Sequence, residues 1–186
     1  SHAEILTALA NPNNHVVVNL VGLPLQDRPS FFLTLLPKLQ ELRSKSGRPH
    51  WMLVDETHHL LPVDGNPTTP GLMKDLAGMI YVTVHPDHIE HSILKTVDIV
   101  FALGKSPDET LKQYCAAIQQ PAPAATAARL QPGRAIMWNR ASGETPFVLE
   151  IAPSTIERRR HRRKYAEGDL PPEQSFYFRG PAGQLN

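Results

Sequence analysis

The stretch Trp51-Met52-Leu53-Val54-Asp55-Glu56 decides the fold, because four apolar residues are followed at once by two acids. A short apolar run is typical of a buried strand, so we expect Asp55 and Glu56 at its carboxyl end. In open α/β sheets, ligands bind along that edge. There Asp55 would hold Mg²⁺ through water, and Glu56 would orient or deprotonate an attacking water. The alternative is an acidic strand end without a chemical role, in which Glu56 caps the next segment.

Apolar runs and helical patterns alternate on both sides of this stretch. Strands are predicted at residues 15–21, 51–54, 79–84 and 98–103, and helices at 3–10, 29–45, 71–77, 87–96 and 107–119. This alternation predicts a parallel sheet covered by helices. Residues 135–139 and 146–151 predict a β-hairpin. The expected fold class is therefore a three-layer α/β domain with a mainly parallel sheet over residues 3–152, followed by a basic extension over residues 153–186.

The composition excludes several classes of protein. The chain has 186 residues, of which 41% are apolar, and its net charge of +1 gives no global electrostatic attraction to nucleic acid or membrane. No run of about 18 apolar residues predicts a membrane span. The single cysteine, Cys115, cannot form an internal disulfide and favours the reducing cytoplasm. It lies within a helical pattern, where we expect it in the core.

Several stretches together resemble the HerA/VirB4-type (FtsK-related) P-loop ATPases. The acidic strand end continues as Thr57-His58-His59-Leu60-Leu61-Pro62, and the next strand ends in Tyr81-Val82-Thr83-Val84-His85-Pro86. The strand Ile99-Val100-Phe101-Ala102-Leu103-Gly104 and the turn Leu130-Gln131-Pro132-Gly133-Arg134-Ala135 are also similar to that family. The resemblance implies a partial RecA-like domain with Asp55 and Glu56 as its Walker B acids.

The same resemblance implies that Thr83 or His85 is a sensor that contacts the γ-phosphate or the attacking water. The alternative is that Thr83 fills a sheet position and His85 caps the helix at residue 87. The extension resembles a connecting segment of bacterial multidomain proteins that join a haloacid-dehalogenase-type phosphatase module to such an ATPase. Phosphatase chemistry itself is excluded, because that class needs Asp-x-Asp and Thr57 stands in place of the second acid.

A phosphate-binding loop is missing from the sequence. A P-loop needs Gly-x-x-x-x-Gly-Lys-[Ser/Thr], whose amides and lysine hold the phosphates. Gly104-Lys105-Ser106 matches its last three letters, but Ile99 stands where the first glycine is required. We therefore expect a Walker A-containing segment upstream, with Mg²⁺ and ATP bound only in a longer protein. This chain alone is expected not to hydrolyse ATP. The alternative is a non-catalytic interaction or scaffold module.

The histidines and arginines leave further options open. His85, His88 and His91 suggest zinc, but on one helix residues i and i+6 would point about 240° apart, which favours solvent-exposed histidines.

The basic run 158–164, from Arg158 to Lys164, suits either a solvated linker or a phosphate backbone. Hexameric ATPases of this type need an arginine that reaches a neighbour's phosphate. The two candidates beside the hairpin are Arg134 and Arg140.

Overall fold

The computed structural model describes residues 1–47, 51–63, 77–124 and 130–153. Contacts group Ser1–Ala152 into one compact unit, separate from Pro153–Asn186. The predicted helix at 71–77, except for its last residue, and the basic extension after Pro153 lie outside the described residues. The predictions made for them therefore remain predictions.

Four α-helices are present in the described residues: α1 (His2–Ala10), α2 (Arg28–Ser46), α3 (His91–Leu94) and α4 (Pro107–Ala117). Three short 3₁₀ helices span Leu25–Asp27, Thr57–His59 and Pro86–His88. The predicted first, second and last helices are confirmed. Helix α2 ends at Gly47, whose φ of 63° is the left-handed conformation that glycine adopts without a Cβ clash. Pro107 opens α4, where its missing N–H costs nothing.

Within the described part of the chain, five strands form two sheets. Strands β1 (Met52–Val54) and β2 (Met79–Tyr81) pair in parallel. Strands β3 (Ile99–Ala102), β4 (Arg134–Asn139) and β5 (Phe147–Glu150) form an antiparallel sheet in the order β3-β4-β5. The predicted hairpin is confirmed as β4–β5. The prediction of a mainly parallel sheet is wrong for the described residues, because β3 pairs with the returning strand β4. An apolar run predicts a strand, but it does not specify with which neighbouring strand the backbone will form hydrogen bonds.

The predicted strand at residues 15–21 is not formed. These residues pair with none of the described strands, and the Val17 side chain is 95% exposed. A β-branched run has the propensity for a strand, but a strand needs a neighbour for its backbone groups.

The predicted helix at 87–96 is also wrong as a single element. It is split into the 3₁₀ helix Pro86–His88 and α3, with Ile89 extended between them. Ile89 is buried and forms an antiparallel bridge with Pro62. The Val63 N–H donates to His88 O at 3.0 Å, and the Glu90 N–H donates to Leu61 O at 2.9 Å. These two bonds satisfy backbone groups that a continuous helix would have used internally.

The core lies between α2, α3, α4 and the inner face of the strands. Its buried members are Phe32, Leu36, Val54, Leu61, Ile89, Ile93, Leu94, Tyr114, Cys115, Ala117 and Ile118. Burial raises the pKa of the Cys115 thiol, so it stays protonated, as expected of a core cysteine.

The outer face of β1 and β2 lacks the predicted third layer among the described residues. Leu53 and Ile80 are partners in register, and they are 65% and 43% exposed. The sequence predicted burial on both faces because both carry apolar side chains. Covering the outer face takes a further element, which the described residues do not supply.

Candidate functional site

The carboxyl ends of β1 and β2 bring the predicted site residues to one edge. Val54 and Tyr81 are the last partners of the parallel pair, so the residues that follow each strand emerge side by side. Asp55 and Glu56 follow β1, and both are exposed. Thr83 and His85 follow β2. The sequence-based expectation that the two acids stand at the edge of a parallel pair therefore agrees with the geometry.

Thr57 holds the two strand ends together. It is fully buried, and its N–H donates to Val82 O at 3.0 Å. Its hydroxyl lies 2.8 Å from Val54 O and 3.1 Å from Val82 O. The Val82 N–H donates to Val54 O at 2.9 Å. Because its N–H and its hydroxyl both reach Val82 O, Thr57 links the end of β1 to the residues after β2 and fixes the spacing of the acid pair relative to them.

The Glu56 backbone is left-handed, with φ of 47°. Such a conformation is uncommon for a residue other than glycine and costs roughly 1–2 kcal/mol. Glu56 stands at the N-cap position of Thr57–His59, but its side chain makes no capping hydrogen bond. The alternative role of Glu56 as a cap is therefore not observed. The side chain is 57% exposed.

The Asp55 carboxylate is oriented by its own neighbour. Its Oδ1 accepts a hydrogen bond from the Glu56 N–H at 3.0 Å. An exposed carboxylate held in this way fits the requirement of Mg²⁺, which binds proteins through one or two carboxylates and keeps several waters. Asp55 is thus the residue that would hold the ion if Mg²⁺ binds at this edge.

Thr83 connects the two sides of the edge. Its Oγ1 lies 3.0 Å from Nδ1 of His58 and accepts a hydrogen bond from the His85 N–H at 3.0 Å. The hydroxyl is therefore turned toward the residues after β1 and does more than fill a sheet position. His85 stands at the N-cap of Pro86–His88 without a capping side-chain bond. The capping role considered for the His85 side chain is therefore not observed.

Four imidazole rings gather here, which the sequence did not predict. The His58 ring centroid lies 4.1 Å from that of His59, 5.4 Å from that of His85 and 6.4 Å from that of His88. The rings of His85 and His88 stack at 4.9 Å. The sequence does contain a signal for this cluster, because one pair of histidines follows β1 and another pair follows β2. The predicted continuous helix at 87–96 directed attention to the spacing of histidines along one helix and away from this proximity.

His58 is the most enclosed of these rings, with a side chain only 9% exposed. Burial is the main reason that its pKa lies below the usual 6.5. The neighbouring imidazole of His59 lowers that pKa further, while the nearby Glu56 carboxylate opposes the shift. Glu56 Oε2 and His58 Nε2 are 3.6 Å apart. His58 is therefore held mainly neutral at neutral pH.

Arg134 and Arg140 are the two candidates for an arginine that reaches a neighbouring subunit. The Arg140 guanidinium forms hydrogen bonds within its own chain. Its guanidinium donates to the carbonyls of Val97 and Lys95, to the Tyr114 hydroxyl at 3.0 Å and to Gln120 Oε1 at 3.2 Å. These contacts argue against a reach into a neighbouring subunit. Arg134 is exposed at the start of β4.

The described chain is a mixed α/β fold that resembles part of a P-loop NTPase fold. Among solved structures, it is similar to the genome packaging NTPase B204 from Sulfolobus turreted icosahedral virus 2 in complex with AMPPCP. That similarity has a TM-score of 0.50 at 15% sequence identity, and it covers 69% of this chain and 64% of the B204 chain. The B204 complex with ATP-gammaS gives a TM-score of 0.47 at 16% identity, covering 67% of this chain and 65% of that one.

The chain thus spans 64% of the length of the B204 chain in the first comparison. At this sequence identity the similarity is one of fold alone. No family model and no curated protein matches the chain. Within the described residues, no helix combines the length and apolar character needed to cross a bilayer.

Proposed function

We propose that this chain supplies the Walker B acids and the sensor of an ATP-driven motor or assembly ATPase. Asp55 binds Mg²⁺ through water, Glu56 is the catalytic base, and Thr83 or His85 is the sensor. The observation that carries the proposal is the shared edge: the acid pair and Thr83 follow adjacent parallel strands and are tied together through Thr57 and His58. Left-handed strain at Glu56 supports it, because such strain persists where a site requires it.

The phosphate-binding loop would come from a Walker A-containing segment outside these 186 residues. The B204 chain extends beyond the part that is similar to this chain, and the outer face of β1 and β2 carries exposed apolar side chains. A strand and helix bearing the loop would bury that face, since sheets of this class are covered on both sides. Assembly into a hexamer, a cytoplasmic location and contact with nucleic acid through the basic run 158–164 belong to the same proposal.

Kinetics of a protein that joins this chain to a P-loop segment test the proposal. Glu56→Gln is expected to lower kcat by about 10²–10⁴-fold with ATP binding retained, since a general base contributes that much. Asp55→Asn is expected to raise the Mg²⁺ concentration needed for turnover. Asp87→Asn, an exposed acid in the turn after β2, is the control and should leave kcat unchanged.

Two results would contradict the proposal at different points. Full activity of the Glu56→Gln protein would remove the acid pair from the mechanism. ATP turnover by the 186-residue chain alone, dependent on Mg²⁺ and abolished by Asp55→Asn, would show that no external P-loop is needed.

A second candidate function is a non-catalytic interaction module. The exposed Leu53 and Ile80 favour it, because an apolar sheet face also serves as a binding surface for another protein. The two functions differ in one measurement. In the joined protein, the module predicts no ATP hydrolysis at all, whereas the ATPase predicts hydrolysis that depends on Glu56.

A further inference from the structure

The acid Glu56 and the two histidines that follow it present nitrogen and oxygen donors to one point in space. One ligand atom from each of Glu56, His58 and His59 lies within 4.8 Å of the others. Zinc binds imidazole nitrogen and carboxylate oxygen at about 2.0–2.2 Å in a tetrahedron, which places its donors about 3.4 Å from one another. The 3.6 Å between Glu56 Oε2 and His58 Nε2 already matches that spacing. His59 is half-buried, and one of its ring nitrogens lies within 4.8 Å of the donors of Glu56 and His58.

The His58 ring is oriented as a metal-bound histidine is. A ligating imidazole binds through one nitrogen while the other is hydrogen-bonded, which fixes the ring and its tautomer. In His58, Nδ1 is hydrogen-bonded to Thr83 Oγ1, and Nε2 faces the Glu56 carboxylate. When Nδ1 carries the ring proton, Nε2 and the carboxylate oxygen are two lone-pair donors that need a cation between them.

The His58 ring is well placed to be a ligand. Its side chain is almost fully enclosed, with only 9% exposed. Metal ions bind the neutral imidazole through the nitrogen that carries no proton, which leaves Nε2 available when Nδ1 is protonated. The His85 and His88 rings stand beside His58 and offer further nitrogen donors at the same edge.

We propose that Glu56, His58 and His59 bind one divalent transition-metal ion of the Zn²⁺ class, with water, His85 or His88 as the fourth ligand. The site is separate from the Mg²⁺ position at Asp55, because imidazole ligands suit zinc whereas magnesium prefers oxygen ligands. The ion occupies the Glu56 carboxylate, so it would block the proposed base. The metal site goes beyond the proposed function and does not depend on it.

Zinc titration of the purified 186-residue chain tests this site. The chain is first stripped with a chelator, then titrated with Zn²⁺ by calorimetry in the presence of millimolar Mg²⁺. We expect one Zn²⁺ per chain at this site. His59→Ala should weaken binding at least about 10-fold, since even the loss of an outer-shell partner costs 10–100-fold. Thr83→Val should weaken it about 10-fold by releasing the His58 ring.

The matched control is His91→Ala, which removes a histidine of the same region that lies outside the ring cluster. Titration with Co²⁺ supplies a second readout, because a tetrahedral site with nitrogen ligands gives intense visible absorption. Circular dichroism of each variant checks that it is folded, and Glu56→Gln provides a second variant at an exposed position. Zinc binding that is absent, or that His59→Ala and Glu56→Gln leave unchanged, would overturn the proposal. An equal loss in His91→Ala would do so as well.

Discussion

Two corners of this molecule use polar side chains in opposite ways. At the carboxyl edge of β1 and β2, the Asp55 and Glu56 side chains are exposed to solvent and remain accessible to a ligand. At the end of β4, the Arg140 guanidinium is directed inward to four oxygen atoms of its own chain. Its guanidinium also lies 5.6 Å from the centroid of the Tyr114 ring.

The difference separates a candidate site from a structural support. A charged group that donates hydrogen bonds to several elements of its own chain stabilises the arrangement of those elements. A charged group held in place by its neighbours but left open to solvent is available to a ligand. On this criterion the acid pair is the candidate site, while Arg140 joins the hairpin to the loop before β3 and to helix α4.

The largest expected effect on stability tests the structural role of Arg140. Arg140→Ala should lower the free energy of unfolding by about 2–4 kcal/mol, because it removes the guanidinium that donates to the Val97 carbonyl and to the Tyr114 hydroxyl. Urea denaturation measures the change. Arg134→Ala, at the exposed start of β4, should cost less than about 1 kcal/mol. An equal loss of unfolding free energy in the two variants would contradict the structural role assigned to Arg140.

A smaller effect is expected where the candidate site is tied to its strands. Thr57→Val keeps the side-chain volume but removes a fully buried hydroxyl from the carbonyls of Val54 and Val82. The free energy of unfolding should fall by about 1–3 kcal/mol. Thr34→Val on the exposed side of α2 serves as the control and should change it by no more than about 0.5 kcal/mol. If both variants behave alike, Thr57 does not hold the edge together.

The smallest effect concerns pH. Because the folded state holds the pKa of His58 below 6.5, the unfolded chain binds the proton more readily. The stabilising contribution of neutral His58 is therefore present above pH 6.5 and is lost as the pH falls toward the lower, folded-state value. Thermal melts in a chelating buffer from pH 7 to pH 5 should show a falling Tm. His58→Gln should flatten that fall, whereas His91→Gln should not; an unchanged slope in His58→Gln would contradict the enclosure of the ring.

The sequence predicted helix α2, helix α4 and the β4–β5 hairpin because each is specified locally. Helix α4 begins with Pro107 followed by acids, and the hairpin reverses at a glycine. The strand at residues 15–21 and the helix at 87–96 failed for the converse reason. Residues 15–21 have a high strand propensity, but no described strand pairs with them. The helix at 87–96 is interrupted because Ile89 forms an antiparallel bridge with Pro62.

By itself, the sequence determined that two carboxylates follow a short apolar strand, because Asp55 and Glu56 come directly after four apolar residues. Only the tertiary structure decided what faces them. The pairing of β1 with β2 placed Thr83 and His85 beside His58, across 25 residues of chain between His58 and Thr83. Strand pairing of this kind depends on contacts between distant segments, which no local pattern of residues records.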